Sequence, residues 1–121
     1  MKNEDWIQFK IGLRDRYKKF ALDIIKTVND MPQNTVGKVI AYQLAKSGTS
    51  SYANYRASLR GRSKAEFYSK LSICVEETDE TEMWLDLIME ANLLNNQAIK
   101  TVHNESIELL KIVAPLRKNL S

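Results

Sequence analysis

The strongest constraint in this chain is one apolar stripe that runs unbroken toward Pro32. Trp6, Phe9, Leu13, Tyr17, Phe20, Ile24, Val28 and Met31 recur at spacings of three and four. That period puts them on one face of a long α-helix and fits no strand. Pro32 ends the stripe, because its ring disfavours the helical conformation at the preceding residue and removes a donor. A helix with one apolar face needs other helices to cover it. The chain is also poor in turn formers: four Gly and two Pro in 121 residues argue against a turn-rich sandwich.

Three further helical segments follow. Asn34 or Thr35 is placed to cap a second helix that carries Val36, Val39, Ile40 and Leu44 inward. Ser47-Gly48-Thr49-Ser50-Ser51 then predicts a kink or a close backbone approach, since these residues are poor in helix interiors. Beyond it Tyr52, Ala53, Tyr55, Ala57 and Leu59 resume the helix, and Gly61 suits a left-handed C-terminal position. Ser63-Lys64-Ala65-Glu66 reads as a capping box. The third helix carries Phe67, Leu71, Cys74, Thr78, Thr81, Leu85, Ile88 and Asn92, flanked by Trp84 and Met89. The fourth carries Ile99, Val102, Ser106, Leu109, Val113, Leu116 and Leu120, with Pro115 tolerable where a helix kinks or ends. Short links between the segments predict an all-α, antiparallel up-down-up-down four-helix bundle, one domain over 1–121, with helices at about 5–30, 35–60, 63–92 and 96–118.

Little in the sequence points to catalysis. Cys74 stands alone, so no internal disulfide forms and a reducing, cytoplasmic setting is expected; as a side chain it reads as a small buried residue. No export signal precedes the first helix, and no apolar run approaches the roughly 18 residues of a membrane span. Carboxylate bundles that hold metals use paired Glu-x-x-His motifs, and here His103 has Lys100 three residues before it. A zinc site built from Cys74 and His103 lacks two ligands, so no metal and no cofactor is expected and His103 reads as a surface or rim residue. The serines at 47–51 have no evident base, and Gly48-Thr49-Ser50 lacks the Gly-Lys-Ser/Thr ending of a phosphate loop. Glu76, Glu77, Asp79, Glu80 and Glu82 read as a solvated face.

Charge is distributed unevenly. Residues 1–62 hold twelve Lys/Arg against five Asp/Glu, whereas residues 63–121 hold six against ten. Lys10, Arg14 and Lys18 form one basic row, and Arg56, Arg60 and Lys64 form another beside Arg62. Such rows are suited to neutralising phosphates, and equally to pairing with the acidic half of a neighbouring subunit.

Leu13-Arg14-Asp15-Arg16-Tyr17-Lys18-Lys19-Phe20-Ala21, Gln43-Leu44-Ala45-Lys46-Ser47-Gly48-Thr49-Ser50, Ala53-Asn54-Tyr55-Arg56, Arg62-Ser63-Lys64-Ala65-Glu66-Phe67 with Lys70-Leu71, and Glu76-Glu77-Thr78-Asp79-Glu80-Thr81 before Trp84-Leu85 together resemble a known family. It is the four-helix-bundle proteins encoded in intervening sequences of bacterial 23S ribosomal RNA genes. More distantly the chain is similar to the accessory protein of diversity-generating retroelements, which binds a reverse transcriptase and nucleic acid. The resemblance implies a homo-oligomeric ring, typically a homopentamer, with no catalytic activity. Ala57 stands where the family often has Glu. It also gives the small polar residues a role: Gln43, Ser47, Ser50 and Asn54 share a face of the second helix, and Thr78 and Thr81 with Glu77 and Glu80 are placed to meet them. They are expected to form a register-fixing polar network that is buried or faces another subunit, or simply to let helices approach closely. The expected function is nucleic-acid binding, RNA or DNA, as a ribonucleoprotein accessory factor. The alternative is a protein-interaction scaffold that binds no nucleic acid.

Overall fold

A computed structural model describes residues 3–119, with the side chains of Lys118 and Asn119 excepted, so Leu120 of the fourth stripe lies outside the described residues. Four helices follow in order: α1 (Asn3–Asn29), α2 (Thr35–Leu59), α3 (Lys64–Glu90) and α4 (Gln97–Asn119). Each packs against its chain neighbours, and α1 also meets α4, so the four close into a square around one core. Their directions alternate. Gly37 of α2 lies against Pro32, Gly48 against Ile24, and Tyr55 against Lys10, so α2 climbs as α1 descends. Likewise Gly61 abuts Phe67 and Ser47 meets Thr81, which sets α3 antiparallel to α2.

Local chemistry explains the ends. The Asn34 side chain accepts from the Gly37 amide at 2.8 Å, and that of Asn96 accepts from Ile99 at 2.9 Å. Ser63 accepts from the Glu66 amide as expected, but the Glu66 carboxylate takes the amide of Arg62, one residue before the expected Ser63. Gly61 does not adopt a left-handed conformation. That role falls to Asn92 (φ 55°), which lies beyond the end of α3; Leu93 N–H reaches Ile88 C=O and Asn92 N–H reaches Met89 C=O, closing the helix with a paired C-terminal motif.

Helix α2 departs most from expectation. Val36 and Val39 point to solvent, at 55% and 58% exposed, and the buried face instead runs through Gly37, Leu44, Ser47, Gly48, Ser51, Tyr55 and Ser58. Small residues line it because α1 comes close: a Cβ on Gly48 would sit 2.7 Å from Ile24. The helix is continuous through this stretch. Its hydroxyls do not compete with the helix, because Thr49 and Ser51 donate back to the carbonyls of Ala45 and Gly48, each at 2.7 Å. Pro115 sits in the last turns of α4 without ending it.

The core holds two buried polar bridges. Thr78 donates to the Cys74 carbonyl at 2.7 Å, which leaves Tyr17 to donate to the Thr78 oxygen at 2.8 Å, and the Tyr17 ring stacks on Tyr55 with centroids 5.3 Å apart. One turn along α3, the Thr81 and Ser47 hydroxyls pair at 2.9 Å. Cys74 lies fully buried beside them, and burial pushes its thiol up to about 11, so it is no nucleophile.

Candidate nucleic-acid interface

The two basic rows seen in sequence converge in space. Tyr55 donates to the Lys10 carbonyl at 3.0 Å and so fastens the C-terminal half of α2 to the N-terminal half of α1. On the flank of that contact, Lys10, Arg14 and Lys18 from α1 face Arg56 and Arg60 from α2 across an open groove of about 530 Å³. Ile7, Ile11, Tyr52 and Leu59 also line it, and among the described residues Asp15 is its one acid. Asp15 lies 3.3 Å from Arg14, but both side chains are well exposed, so the pair holds the guanidinium weakly. Among the described residues, Lys10, Lys18, Arg56 and Arg60 have no ion-pair partner. By contrast, neighbouring cations are occupied: Arg16 grips Glu105 of α4 in a two-pronged bond of 2.6 and 3.0 Å, and Lys19 pairs with Asp23 at 2.7 Å.

Aromatic rings steady two of the free cations. The Arg56 guanidinium lies 5.7 Å from the Tyr52 ring centre, and the Lys10 ammonium 5.3 Å from that of Trp6, which itself stacks on Phe9. Those rings are covered by cations, so the groove offers charge in place of a base-stacking platform.

Arg62 and Lys64 stand apart from this groove. Arg62 borders an adjoining recess with Ala57, Arg60, Gly61, Glu66, Ser69 and Lys70, while Lys64 is exposed on the first turn of α3 and lines neither. Arg60 belongs to both hollows, so Arg62 and Lys70 extend the basic strip around the end of the bundle. Lys70 was not in either sequence row, since it lies on the third helix and only the α2–α3 turn brings it near Arg60.

The proposed polar network divides. Ser47 joins Thr81 in the core, but Thr78 bonds to Tyr17 of α1, not to α2. Ser50 and Asn54 pair with each other along α2, Asn54 donating to the Ser50 carbonyl at 2.9 Å, and both are half-buried with Gln43 on the outer side of the α2–α3 seam. Glu80 is exposed and Glu77 half-buried. Of the acidic run, Glu76, Asp79 and Glu80 face solvent as expected, whereas Glu82 turns toward α4, where its Oε2 lies 2.7 Å from Nε2 of His103.

Burial, followed by the nearby Glu80 charge, raises the Glu77 carboxyl above its ordinary range. A raised carboxyl binds its proton more readily folded than unfolded, so its contribution opposes folding above the folded pKa and fades as pH falls through it. Glu77→Gln is therefore expected to raise the melting temperature at neutral pH and to leave it unchanged at about pH 3, where the carboxyl is largely protonated in both states. Paired thermal melts at the two pH values check this.

Taken together, the geometry defines an all-α four-helix bundle with a cation-lined groove between α1 and α2. The family model of the 23S rRNA-intervening sequence protein matches residues 12–114, and the chain belongs to that family. It is also similar to a solved structure, a protein of unknown function from the S23 ribosomal protein family of Bacteroides thetaiotaomicron VPI-5482. The two are 28% identical, the match covers 90% of this chain and 97% of the other, and the TM-score is 0.81. Comparison with curated proteins gives no match. Among the described residues, no helix is long and apolar enough to cross a membrane.

Proposed function

We propose that this protein is a non-enzymatic, ring-forming accessory factor that binds the phosphate backbone of RNA or DNA through the α1–α2 groove. One observation carries the reading: Lys10, Arg14, Lys18, Arg56 and Arg60 meet in one groove, and four of the five have no ion-pair partner among the described residues. Cations left unpaired on a folded surface are ready to replace the counterions of a polyanion, and affinity built this way falls steeply with salt. Anisotropy of a labelled structured RNA and of a duplex DNA over a salt series tests it. Binding that persists undiminished at high salt, or that is absent at low salt, overturns the reading. A protein partner such as a reverse transcriptase belongs to the same proposal, as the family resemblance suggests it.

The ring, a homopentamer by that resemblance, has a surface suited to it. Beyond Lys18 the same face of α1 continues with exposed Leu22 and Ile25, and exposed Tyr42 of α2 lies farther along the bundle in the same direction. The outer stripe of α3 carries Glu76 and Glu80 and then exposed Met83 and Leu87. Because Gly48 is level with Ile24 and Ser47 with Thr81, Met83 and Leu87 stand at about the height of Ile25 and Tyr42. In a ring with its axis along the helices, neighbours keep their heights, so apolar meets apolar. Leu22→Asp with Ile25→Asp, both on exposed positions, is expected to reduce the mass measured by light scattering to that of one protomer while the helix content stays. An unchanged mass removes this face from the ring contact.

A second reading is favoured by the same stripe, because Glu76 stands near the height of Lys18. There the groove cations pair with a neighbour's acids, and the protein is a scaffold that binds no nucleic acid. It predicts a ring that loosens with salt, together with no RNA binding.

A further inference from the structure

Outside the groove, one other place among the described residues gathers groups with ligand chemistry. Glu82 and Asp86 lie one turn apart on α3, and His103 faces them from α4. One oxygen of each carboxylate and one imidazole nitrogen lie within 4.8 Å of one another. Two carboxylates side by side on a helix repel each other, and among the described residues neither has a Lys or Arg partner. His103 bonds Glu82, and among the described residues Asp86 has no hydrogen-bond or ion-pair partner. The seam is also partly withdrawn from water: the His103 side chain is 16% exposed and that of Glu82 28%, which strengthens any charge interaction placed there.

We propose that Glu82, Asp86 and His103 form a site for a divalent transition-metal ion of the zinc class, which pins α3 to α4. One imidazole nitrogen with two carboxylate oxygens is a donor set that zinc accepts, and a fourth position stays open to water. Metal–ligand bonds of about 2.0–2.2 Å need donors a little over 3 Å apart. Side-chain rotation from the present spacing supplies that: Asp86 moves in, and the 2.7 Å Glu82–His103 hydrogen bond opens slightly as the metal takes the place of the shared proton. Magnesium and calcium, which prefer an all-oxygen shell of six or more ligands, are poorly served here. The ion bridges two helices of one chain, so its consequence is stability and not reaction chemistry.

The test uses the full chain without a histidine tag. Titration calorimetry with zinc chloride is expected to give one site per chain with micromolar affinity, and about a hundredfold excess over Kd is expected to raise the melting temperature by about 5–10 °C. Cobalt(II) is expected to give the intense visible absorption of a four-coordinate ion. Asp86→Asn changes an exposed side chain with no hydrogen bond among the described contacts, so it leaves folding intact. It is expected to weaken zinc at least tenfold, and His103→Ala to abolish both the heat and the cobalt spectrum. Glu76→Gln, on the far side of α3, is the control and leaves both unchanged. No one-to-one binding in the unmodified chain, binding that survives Asp86→Asn, or equal loss in Glu76→Gln overturns the proposal, and Asp86→Asn decides alone if His103→Ala does not fold.

Discussion

Arg14→Glu, Arg56→Glu and Arg60→Glu combined in one protein are expected to lower affinity for a structured RNA about a thousandfold at low salt. Each of the three lines the groove, and each can give a phosphate a charge-assisted hydrogen bond of about 1.5 kcal/mol at the low end. Three such bonds amount to about 4.5 kcal/mol, which is roughly three decades of affinity. The salt dependence must change as well. Each lost phosphate contact removes about 0.9 from the slope of log affinity against log salt on a duplex and about 0.7 on a single strand, so the slope falls by two to three. This second readout separates a phosphate site from a general effect of net charge, because a remote charge lowers affinity without removing a contact. Arg62→Glu with Lys64→Glu is the matched comparison. These residues lie outside the groove and are expected to cost far less, about tenfold or below on the same scale. Equal losses from both variants would move the site to the turn between α2 and α3. All five side chains are half-buried or exposed, and among the described residues only Arg14 has an ion pair, so the variants keep the fold of the parent.

That experiment rests on a register the sequence does not display. Each basic row is visible on its own helix as a run of residues three or four apart. Their convergence depends on the Tyr55–Lys10 bond and on the Gly48–Ile24 contact, which set the height of α2 against α1. The phase of α2 departs from its periodicity for a related reason. Periodicity assigns Val36, Val39, Ile40 and Leu44 to the inward face; Leu44 is buried, but where α2 packs this closely on α1 small residues take the place of Val36 and Val39. Where an element packs at ordinary distance the pattern serves well: Leu13, Tyr17, Phe20 and Ile24 of α1, and Ile99, Val102, Ser106, Leu109 and Val113 of α4, are all buried as their spacing predicts. The convergence of Glu82, Asp86 and His103 lay beyond such reasoning, because a search within one helix finds only the two carboxylates, and the imidazole arrives from a helix 21 positions away.

Gly48→Val is expected to destabilise the fold severely. A Cβ at position 48 would come within 2.7 Å of Ile24 Cγ2, 2.9 Å of Cγ1 and 3.1 Å of Cβ, so the neighbour cannot move one flexible tip out of the way. Ile24 is itself fully buried and branched at Cβ, which leaves it few alternative rotamers. Valine adds two further methyl groups to that clash, and the helices must separate. Overpacking of this kind costs about 3 kcal/mol, the upper part of its usual range. For a chain of this size that is about 12 °C in melting temperature. Gly48→Ala separates the two opposing terms. Alanine gains about 1 kcal/mol over glycine in a helix interior, and its single methyl still meets Ile24, so its net effect is much smaller than that of valine. Ile24→Ala in the Gly48→Ala background removes both γ carbons from the pinched contact, so the double variant is expected to be less destabilised than the sum of the two single changes predicts. Additive effects of the pair would mean that α1 and α2 do not touch at this point. Because the Arg56 and Lys10 rows are aligned by this same crossing, any separation of the helices also widens the groove. RNA affinity is then expected to fall in Gly48→Val even under conditions where the protein stays folded.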